Sequence, residues 1–370
     1  METPIAETIR QILMVGVVIS IEEKLLVNIL YRSERELLNG IILNNVNFEN
    51  LIKLASRHLM LPALFYNINK KNASHLFPKD FIACIKDIYT INKARNEVLL
   101  SEAKELSELL FENNIKHIFL KGTALLLANV FEDIGERMIG DIDFIIQHKD
   151  EKNIEIILEQ SNYVVKTTAL YRGSIRVFKP KHLARRNNIN KIIAVEPHLE
   201  LLAPGWRGTF NSKKLISTFQ GETKTLKSPS KSFLFDHCIY ALQIADNGFF
   251  NSYHSHRSIY DIYKLNCKTS LTVKNIKKNI YIKHFFLTIA KFKIFDMYIK
   301  TSYLDLYYDK LFRGVRRFSL ILILRNTNTI LKNIVNLFFS SKYREGVSTK
   351  IINHYRNKTL LKWLTKLLQP

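Results

Sequence analysis

Cysteine is scarce in this chain. Among 370 residues there are three, Cys84, Cys238 and Cys267, and none lies in a Cys-x-x-Cys pattern. So sparse and odd a set argues against a disulfide framework and against a zinc site, and it is typical of proteins in the reducing cytoplasm. We therefore expect a cytoplasmic protein whose three thiols are small, buried apolar side chains.

Long apolar runs are also missing. No stretch of about 18 uncharged apolar residues occurs, which argues against a membrane-spanning helix. The nearest candidate, FSLILIL at 318–324, ends at Arg325. The first twenty residues carry Glu2 and Glu7 and no early basic segment, so they predict an ordinary helix rather than a signal peptide. Internal repeats and low-complexity linkers are absent as well.

Acidic residues are rare towards the end of the chain. Residues 271–370 hold 20 Lys and Arg against four Asp and Glu, so this segment carries +16 of the net charge of +22. Such a charge attracts polyanions: nucleic acid, an anionic polysaccharide or an anionic membrane face. The basic residues are spread through the segment, which is also typical of a solvated surface, and both interpretations stay open.

Hydrophobic periodicity divides the chain into three parts. Residues 1–90 and 226–370 have helical patterns, and residues 91–225 contain short apolar runs of strand length. The pattern therefore predicts an α+β fold: a mostly helical chain with a central mixed β-sheet flanked by helical regions. The individual predictions are helices at 47–68 (with a new helix or kink at Pro62), 78–114, 124–131 and 150–160, strands at 115–120, 140–147 and 191–202, and a hairpin formed by YVVKTTAL and SIRVFKP.

The stretch GDIDFIIQ at 140–147 places two carboxylates inside an apolar strand. Side chains two residues apart in a strand share a face, so Asp141 and Asp143 project together. Two like charges in such a setting need a compensating cation or a positive side chain. A third carboxylate is expected on a neighbouring strand, where Glu196 and Glu200 compete. The spacing predicts a divalent metal site, with Mg²⁺ as the ion.

The stretch FLKGTALL is a strand–turn–helix junction suited to an anion. Gly122 permits close backbone approach, Thr123 offers a hydroxyl and an N–H at a helix start, and Lys121 adds a positive charge. Arg137 lies four residues before Asp141. Its charge suits either a phosphate or a structural ion pair with Asp141 or Glu136, and both alternatives stay open.

Together, FLKGTALL, ERMIGDIDFII and VEPHLEL resemble the nucleotidyltransferases of the polymerase-beta superfold. The chain looks most like a branch of uncharacterised nucleotidyltransferases that opens with Lys-Gly. The resemblance covers roughly residues 45–265, and the flanking helices look similar too, with His237, Arg257 and Asp261 at matching positions. Two departures are Thr123 where serine is usual and a Glu-Pro where Asp with an apolar residue is usual.

The resemblance implies roles for named residues, which we state as expectations. Metal binding and catalysis fall to Asp141, Asp143 and Glu196. Nucleotide binding falls to Lys121, Gly122, Thr123, Arg137 and His198. The expected reaction moves an NMP from an NTP, ATP among the candidates, to a hydroxyl acceptor and releases pyrophosphate. The resemblance favours a sugar or small-molecule acceptor in a bacterial envelope context.

Two alternatives belong to other functional classes. One is a non-catalytic protein of this fold whose basic C-terminal helices bind RNA, another polyanion or a membrane surface. The other is an antitoxin-like transferase that modifies a partner protein. The sequence does not decide which nucleotide or acceptor is used, and it does not give the oligomeric state.

Overall fold

A computed structural model provides the structure. It describes residues 19–33, 45–167, 177–180, 193–202, 210, 212, 215, 226, 228–246, 248–251, 253–269, 279–295, 338 and 348. The predictions for the first eighteen residues, for the apolar run at 318–324 and for most of the basic segment 271–370 lie outside these residues.

Ten α-helices occur in the described part of the chain. They are α1 Ile21–Tyr31, α2 Phe48–Arg57, α3 Leu61–Lys70, α4 Lys79–Glu112, α5 Lys121–Leu127, α6 Glu151–Gln160, α7 Lys231–Tyr240, α8 Gly248–Asn251, α9 His256–Thr269 and α10 Ile280–Ile289. Short 3-10 helices span Ser74–Leu76, Ile134–Glu136, His148–Asp150 and Ala290–Phe292, and a π-helical turn spans Ala241–Ala245. The predicted helices at 47–68, 78–114 and 150–160 are confirmed, with Pro62 in the first turn of a new helix.

Local sequence explains where several helices begin. The Ser20 hydroxyl accepts a hydrogen bond from the backbone N–H of Glu23 at 3.1 Å, and the Asn47 side chain accepts one from Asn50 at 3.0 Å. Such caps satisfy N–H groups that have no partner within the helix. The predicted helix at 124–131 starts three residues earlier and ends at Leu127. Asn129 ends it, because its φ of 50° lies in the left-handed region.

Among the described residues, the sheet has five strands in the order β1-β2-β5-β4-β3. They are β1 His117–Phe119, β2 Asp141–Ile146, β3 Tyr163–Thr167, β4 Val177–Pro180 and β5 Ala194–His198. The central pair β2 and β5 is parallel, and the other neighbours are antiparallel. The predicted mixed sheet and the predicted hairpin, which is β3 with β4, are therefore confirmed, and the fold class is α+β.

One hydrophobic core joins the helices to the sheet. It contains Leu25 of α1, Leu51 of α2, Phe144 of β2 and Phe285 of α10. Helix α4 contributes the predicted apolar face, since Leu99, Ala103, Leu106 and Leu110 are all buried. The division at 90/91 and 225/226 stays a prediction; α4 runs through residue 90 without a break. No helix among the described residues is both long and apolar enough to span a bilayer.

The expectation that all three cysteines are buried is wrong. Cys84 and Cys267 are exposed, and Cys238 is half-buried. Cys84 lies on α4 between Phe81 and Ile85, which turn inwards, so the helical period places its thiol on the solvent face.

Candidate active site

The parallel pairing of β2 with β5 brings together residues far apart in sequence. In this register Asp143 lies opposite Glu196, and Ile145 lies opposite His198. Directly paired residues of neighbouring strands project to the same face, and residues two apart on one strand do the same. The register therefore puts the Asp-x-Asp pair and the Glu-x-His pair on one side of the sheet.

Three of these side chains form a compact group. The donor atoms of Asp143, Glu196 and His198 lie within 4.8 Å of one another. His198 Nε2 is 2.7 Å from Asp143 Oδ1 and 3.8 Å from Glu196 Oε1. The Asp143 and His198 side chains are almost fully buried, and the Glu196 side chain keeps 15% of its surface exposed. His198 thus shares the face of the carboxylates, and the nucleotide-binding role that the resemblance implies for it stays a prediction.

Lys121 supplies the positive charge of this group. Its Nζ lies 2.6 Å from Asp143 Oδ1 and 3.5 Å from His198 Nε2. Burial by itself raises the pKa of Asp143, but the charge of Lys121 and the hydrogen bond with His198 outweigh it and hold that pKa at about 2. Burial lowers the pKa of Lys121, but the carboxylates of Asp143, Glu196 and Asp141 outweigh this effect and raise it. Asp143 is therefore ionised at neutral pH and is neutralised by a lysine.

Asp141 shares the face of Asp143 but is not one of the three grouped donors. Burial and the neighbouring charge of Asp143 raise its pKa to about 6, against the opposing effects of Lys121 and Arg257. At neutral pH the ionised Asp141 carboxylate destabilises the fold, since no cation contacts it directly among the described residues. An added positive charge would relieve that cost.

The junction between β1 and α5 is held in an unusual backbone conformation. Lys121 has a φ of 49°, in the left-handed region that side-chain-bearing residues rarely adopt. Leu120 N donates to the Asp143 carbonyl at 2.8 Å, which ties the turn to β2. A Cβ at Gly122 would lie 3.0–3.3 Å from three Ile139 side-chain atoms. Glycine at 122 thus permits close packing of the turn against the segment that precedes β2.

The Thr123 side chain lies inside the junction between β1 and α5. Its side chain is completely buried, and its hydroxyl donates to the Asp141 carbonyl at 3.4 Å. The hydroxyl therefore links α5 to β2. Its predicted role at a phosphate has no support from this geometry.

Arg137 is committed to a structural ion pair. Its Nε and Nη2 donate to the two carboxylate oxygens of Asp261 at 2.7 and 2.9 Å, and its Nη1 donates to the Met138 carbonyl. Both side chains of the pair are at least nine-tenths buried. The pairings with Asp141 or Glu136 weighed from the sequence are wrong, because the partner comes from α9. The predicted phosphate role of Arg137 has no support from this geometry.

Helix α9 holds the segment before β2 through one of its faces. Tyr260, Asp261 and Lys264 are spaced as neighbours on that face. The Tyr260 hydroxyl donates to Glu136, Lys264 Nζ lies 2.9 Å from Glu136 Oε2, and Asp261 binds Arg137. Sequence analysis did not find the Glu136 contacts, although the helical spacing of polar residues in this amphipathic helix was a visible signal.

Helix α4 holds the same segment through hydrogen bonds to the backbone carbonyls of that segment. Asn92 Nδ2 donates to the carbonyls of Gly135 and Arg137 at 2.8 and 3.2 Å. Asn96 Nδ2 donates to the carbonyls of Ile134 and Arg137 at 2.6 and 2.8 Å. Both asparagines are buried on the apolar face of α4, a placement that signals a specific partner. Two helices therefore fix the entry of the chain into the Asp-x-Asp strand.

Glu200, the competitor for the third carboxylate, lies elsewhere. One of its oxygens is 2.9 Å from His148 Nε2, and the other accepts a hydrogen bond from the Ser212 hydroxyl at 2.8 Å. His237 of α7 lies instead beside the acidic group. Burial, together with the charges of Lys121 and His198, lowers the pKa of His237 to about 3, so its ring is neutral.

Comparison with known proteins gives one family. A model of an uncharacterised nucleotidyltransferase family matches residues 44–274, more than half of the chain. The chain belongs to this family. No curated protein matches the chain, and no solved structure does. Membership confirms the resemblance to nucleotidyltransferases and implies an NTP as a substrate; the Lys-Gly branch is not tested by it.

A divalent cation suits the donor set of this nucleotidyltransferase. Asp143 and Glu196 offer carboxylate oxygens, the ligands that Mg²⁺ and Mn²⁺ prefer, and His198 adds an imidazole that suits Mn²⁺ better than Mg²⁺. The Lys121 ammonium beside Asp143 shows that a positive charge is stable at this position. The residues present therefore fit a metal ion, with Asp141 next to it as a further carboxylate.

The raised pKa of Asp141 predicts a pH-dependent stability in the absence of metal. Its pKa is about 6 in the fold against an ordinary value of 3.8, so the folded state binds this proton more tightly. Asp141 therefore destabilises the fold above pH 6, and the penalty disappears as the pH falls from about 6 to about 4. In EDTA, we expect Asp141→Asn to raise the free energy of unfolding at pH 7.5 by about 1–3 kcal/mol.

Urea titrations of the wild type and Asp141→Asn at pH 7.5 and pH 4.5 measure this effect. The difference between the two proteins should shrink to about a third of its pH 7.5 value at pH 4.5. A difference that is equal at both pH values would contradict the prediction, since it would then come from packing rather than from ionisation.

Proposed function

We propose that the chain transfers an NMP from an NTP to a hydroxyl acceptor, with release of pyrophosphate, and that a divalent cation, Mg²⁺ or Mn²⁺, is required. The observation that carries the proposal is the pairing of Asp143 with Glu196 in a parallel register, with His198 Nε2 2.7 Å from Asp143. This is an ordered acidic group from two strands, beside a lysine and a tight turn, within a member of a nucleotidyltransferase family.

In this proposal the carboxylates of Asp143 and Glu196, with Asp141 beside them, hold the cation. When bound, the cation supplies charge stabilisation for the triphosphate oxygens. Lys121 has 42% of its side chain exposed, so its ammonium can reach a triphosphate that approaches the rim of the site. Its contact with Asp143 then gives way to contact with phosphate oxygens, which are its stronger charge partners.

The protein's contribution to the chemical step is proton transfer and orientation. The acceptor hydroxyl oxygen forms a bond to the α-phosphorus, and the bond from that phosphorus to the bridging oxygen of pyrophosphate breaks. The hydroxyl proton must leave as this happens. Glu196 is the more exposed of the two candidate bases, at 15% against 5% for His198, so we assign the proton to its carboxylate. His198 orients Asp143 through their hydrogen bond.

For the acceptor we propose a saccharide or another small hydroxyl compound in the cytoplasm. Glu196 lies at a partly open position in an otherwise buried group, so a hydroxyl carried on a small, mobile molecule reaches it most easily. The basic segment 271–370 is a further proposed contact for an anionic acceptor or membrane surface, on its charge alone.

The test is a matched pair of variants. Wild type, Glu196→Gln and Glu200→Gln are incubated with each labelled NTP, Mg²⁺ or Mn²⁺, and a panel of sugar, alcohol, RNA and protein acceptors. We expect Glu196→Gln to lower turnover by about 10²–10³-fold, because it loses a charge that acts in the transition state. Glu200→Gln should keep at least half of wild-type turnover, since its contacts are with His148 and Ser212.

The readout also separates the alternatives. Labelling of a co-purifying protein alone would favour the alternative in which the protein modifies a partner protein. No labelling, combined with no metal-dependent thermal stabilisation by any NTP, would overturn the enzymatic proposal.

A further inference from the structure

A second group of metal-ligating side chains lies outside the candidate active site. Glu23 comes from α1, and His254 and His256 flank the start of α9. The three donor atoms lie within 4.8 Å of one another, and the chain separates the glutamate from the histidines by more than 200 residues. Neither the proposed reaction nor the family match assigns a role to them.

The spacing of the donor atoms is that of a ligand set. Nε2 of His254 and Nε2 of His256 each lie 3.0 Å from Glu23 Oε1. A tetrahedral zinc ion bonds to nitrogen and oxygen at about 2.0–2.1 Å, which puts its ligand atoms about 3.3 Å apart. The two distances to Glu23 Oε1 need to grow by only a few tenths of an ångström to admit the ion. Hydrogen bonds from both rings to one oxygen would give the same distances, so the experiment must separate the two.

The cluster is mostly buried but still accessible to an ion. The His256 side chain is completely buried, and its Nδ1 has no hydrogen-bond partner among the described residues. The His254 and Glu23 side chains keep 19% and 16% of their surface exposed, which leaves a way in for an ion and a water.

The surroundings of the cluster are aromatic. The ring of Phe292 lies 5.1 Å from His254 and 5.3 Å from His256, and the His58 ring lies 4.9 Å from His256. His58 Nδ1 accepts a hydrogen bond from the His256 backbone N–H at 3.4 Å. A shell of this kind excludes water and orients ligands.

We propose that Glu23, His254 and His256 form a structural site for a zinc-class divalent metal, with water as the fourth ligand. Two imidazoles and one carboxylate are a donor set that Zn²⁺ and Co²⁺ accept readily. The cysteines do not contribute to it, in keeping with their isolated positions in the sequence. The ion would clamp the first turn of α1 to the start of α9.

The clamp acts on the active site only through α9. That helix carries Tyr260 and Asp261, which hold Glu136 and Arg137 just before β2. Metal binding at one end of α9 therefore stabilises the helix that orients the Asp-x-Asp strand. The site itself needs no nucleotide, and it stands or falls independently of the proposed reaction.

The test uses the full chain in an Asp143→Asn/Glu196→Gln background, which removes two of the donors of the other metal group. Metal-free protein is titrated with ZnCl₂ by calorimetry and with CoCl₂ by visible absorption. We expect one ion per chain at micromolar concentration or below, and the intense visible bands of four-coordinate Co²⁺. Glu23→Gln or His254→Gln in the same background should weaken binding at least about 100-fold.

Two controls are built into the chain. His58→Gln, which alters a neighbour rather than a ligand, should weaken binding by no more than about 10-fold. His75→Gln, remote and on the surface, should leave it unchanged. Unaltered zinc affinity in both Glu23→Gln and His254→Gln would overturn the proposal. Failure of the Asp143→Asn/Glu196→Gln protein to bind zinc at about 100 µM would also overturn it, because that concentration is far above the Kd of a structural site.

Should the ligand variants fail to fold, the Asp143→Asn/Glu196→Gln protein with all three ligands intact decides. With a structural site, equimolar Zn²⁺ raises the thermal midpoint by several degrees over the same protein in excess EDTA, and Co²⁺ gives the four-coordinate spectrum. An equal midpoint in zinc and in EDTA, or only the weak bands of six-coordinate Co²⁺, would show a hydrogen-bonded cluster instead.

Discussion

Asp143→Asn should abolish nucleotidyl transfer, with turnover reduced by about 10³-fold or more. The side chain is buried at the centre of the acidic group, within 2.7 Å of both Lys121 Nζ and His198 Nε2. Asparagine keeps its size but removes the charge that a cation needs. The half-exposed Lys121 loses its partner but returns to water, so the fold should survive with a small loss of stability.

The measurement is steady-state transfer of labelled NMP together with a urea titration. Asp150→Asn is the matched control, since Asp150 is also a buried aspartate in the 3-10 helix that follows β2 but lies outside the acidic group. It should keep turnover within a few-fold of wild type. An Asp143→Asn protein with more than a tenth of wild-type turnover would rule out Asp143 as a metal-binding residue of the reaction.

Asp261→Asn should lower the free energy of unfolding more than any other single substitution named above. It removes one charge from a bidentate pair in which both partners are buried, and leaves the Arg137 guanidinium without compensation. Breaking such a pair from one side costs about 3–5 kcal/mol. Removing both partners together, as Arg137→Met with Asp261→Leu, should restore much of that loss because no unpaired charge remains buried. Urea unfolding of Arg137→Met, Asp261→Leu and the double variant gives the coupling energy.

An exposed ion pair provides the control. On α2, Lys53 Nζ lies 2.6 Å from Glu49 Oε1, and 57% of the Lys53 side chain and 74% of the Glu49 side chain are exposed. Lys53→Met should change the free energy of unfolding by less than about 0.5 kcal/mol. If Asp261→Asn proved as mild as Lys53→Met, the Arg137 pair would not be a structural support of the segment before β2.

Much of the active-site face followed from local patterns. The alternation of Asp141, Ile142 and Asp143 in an apolar run already placed two carboxylates on one side of a strand. The choice of Glu196 over Glu200 was less secure, because it depends on the register of β5 against β2. That register is set by packing between strands about 50 residues apart, and no local signal encodes it.

Ion-pair partners were the least predictable feature. Arg137 was weighed against the acids nearest in sequence, but its partner, Asp261, lies 124 residues further along the chain. Sequence distance says little about which charges meet, since burial selects the partner that satisfies all the donors of a guanidinium. By contrast, the exposure of Cys84 could have been found from the period of α4, had the helical face been given more weight than the average burial of cysteine.

The length of α4 has a practical consequence. Its 34 residues extend about 50 Å as one rigid rod, from the N-terminal helices to the turn before β1. A protein fragment cut near residue 90 would begin inside this rod and lose Phe81 and Ile85 from its inner face. Attempts to isolate the sheet with its acidic group should therefore start before Lys79, so that the rod and the asparagines it carries stay whole.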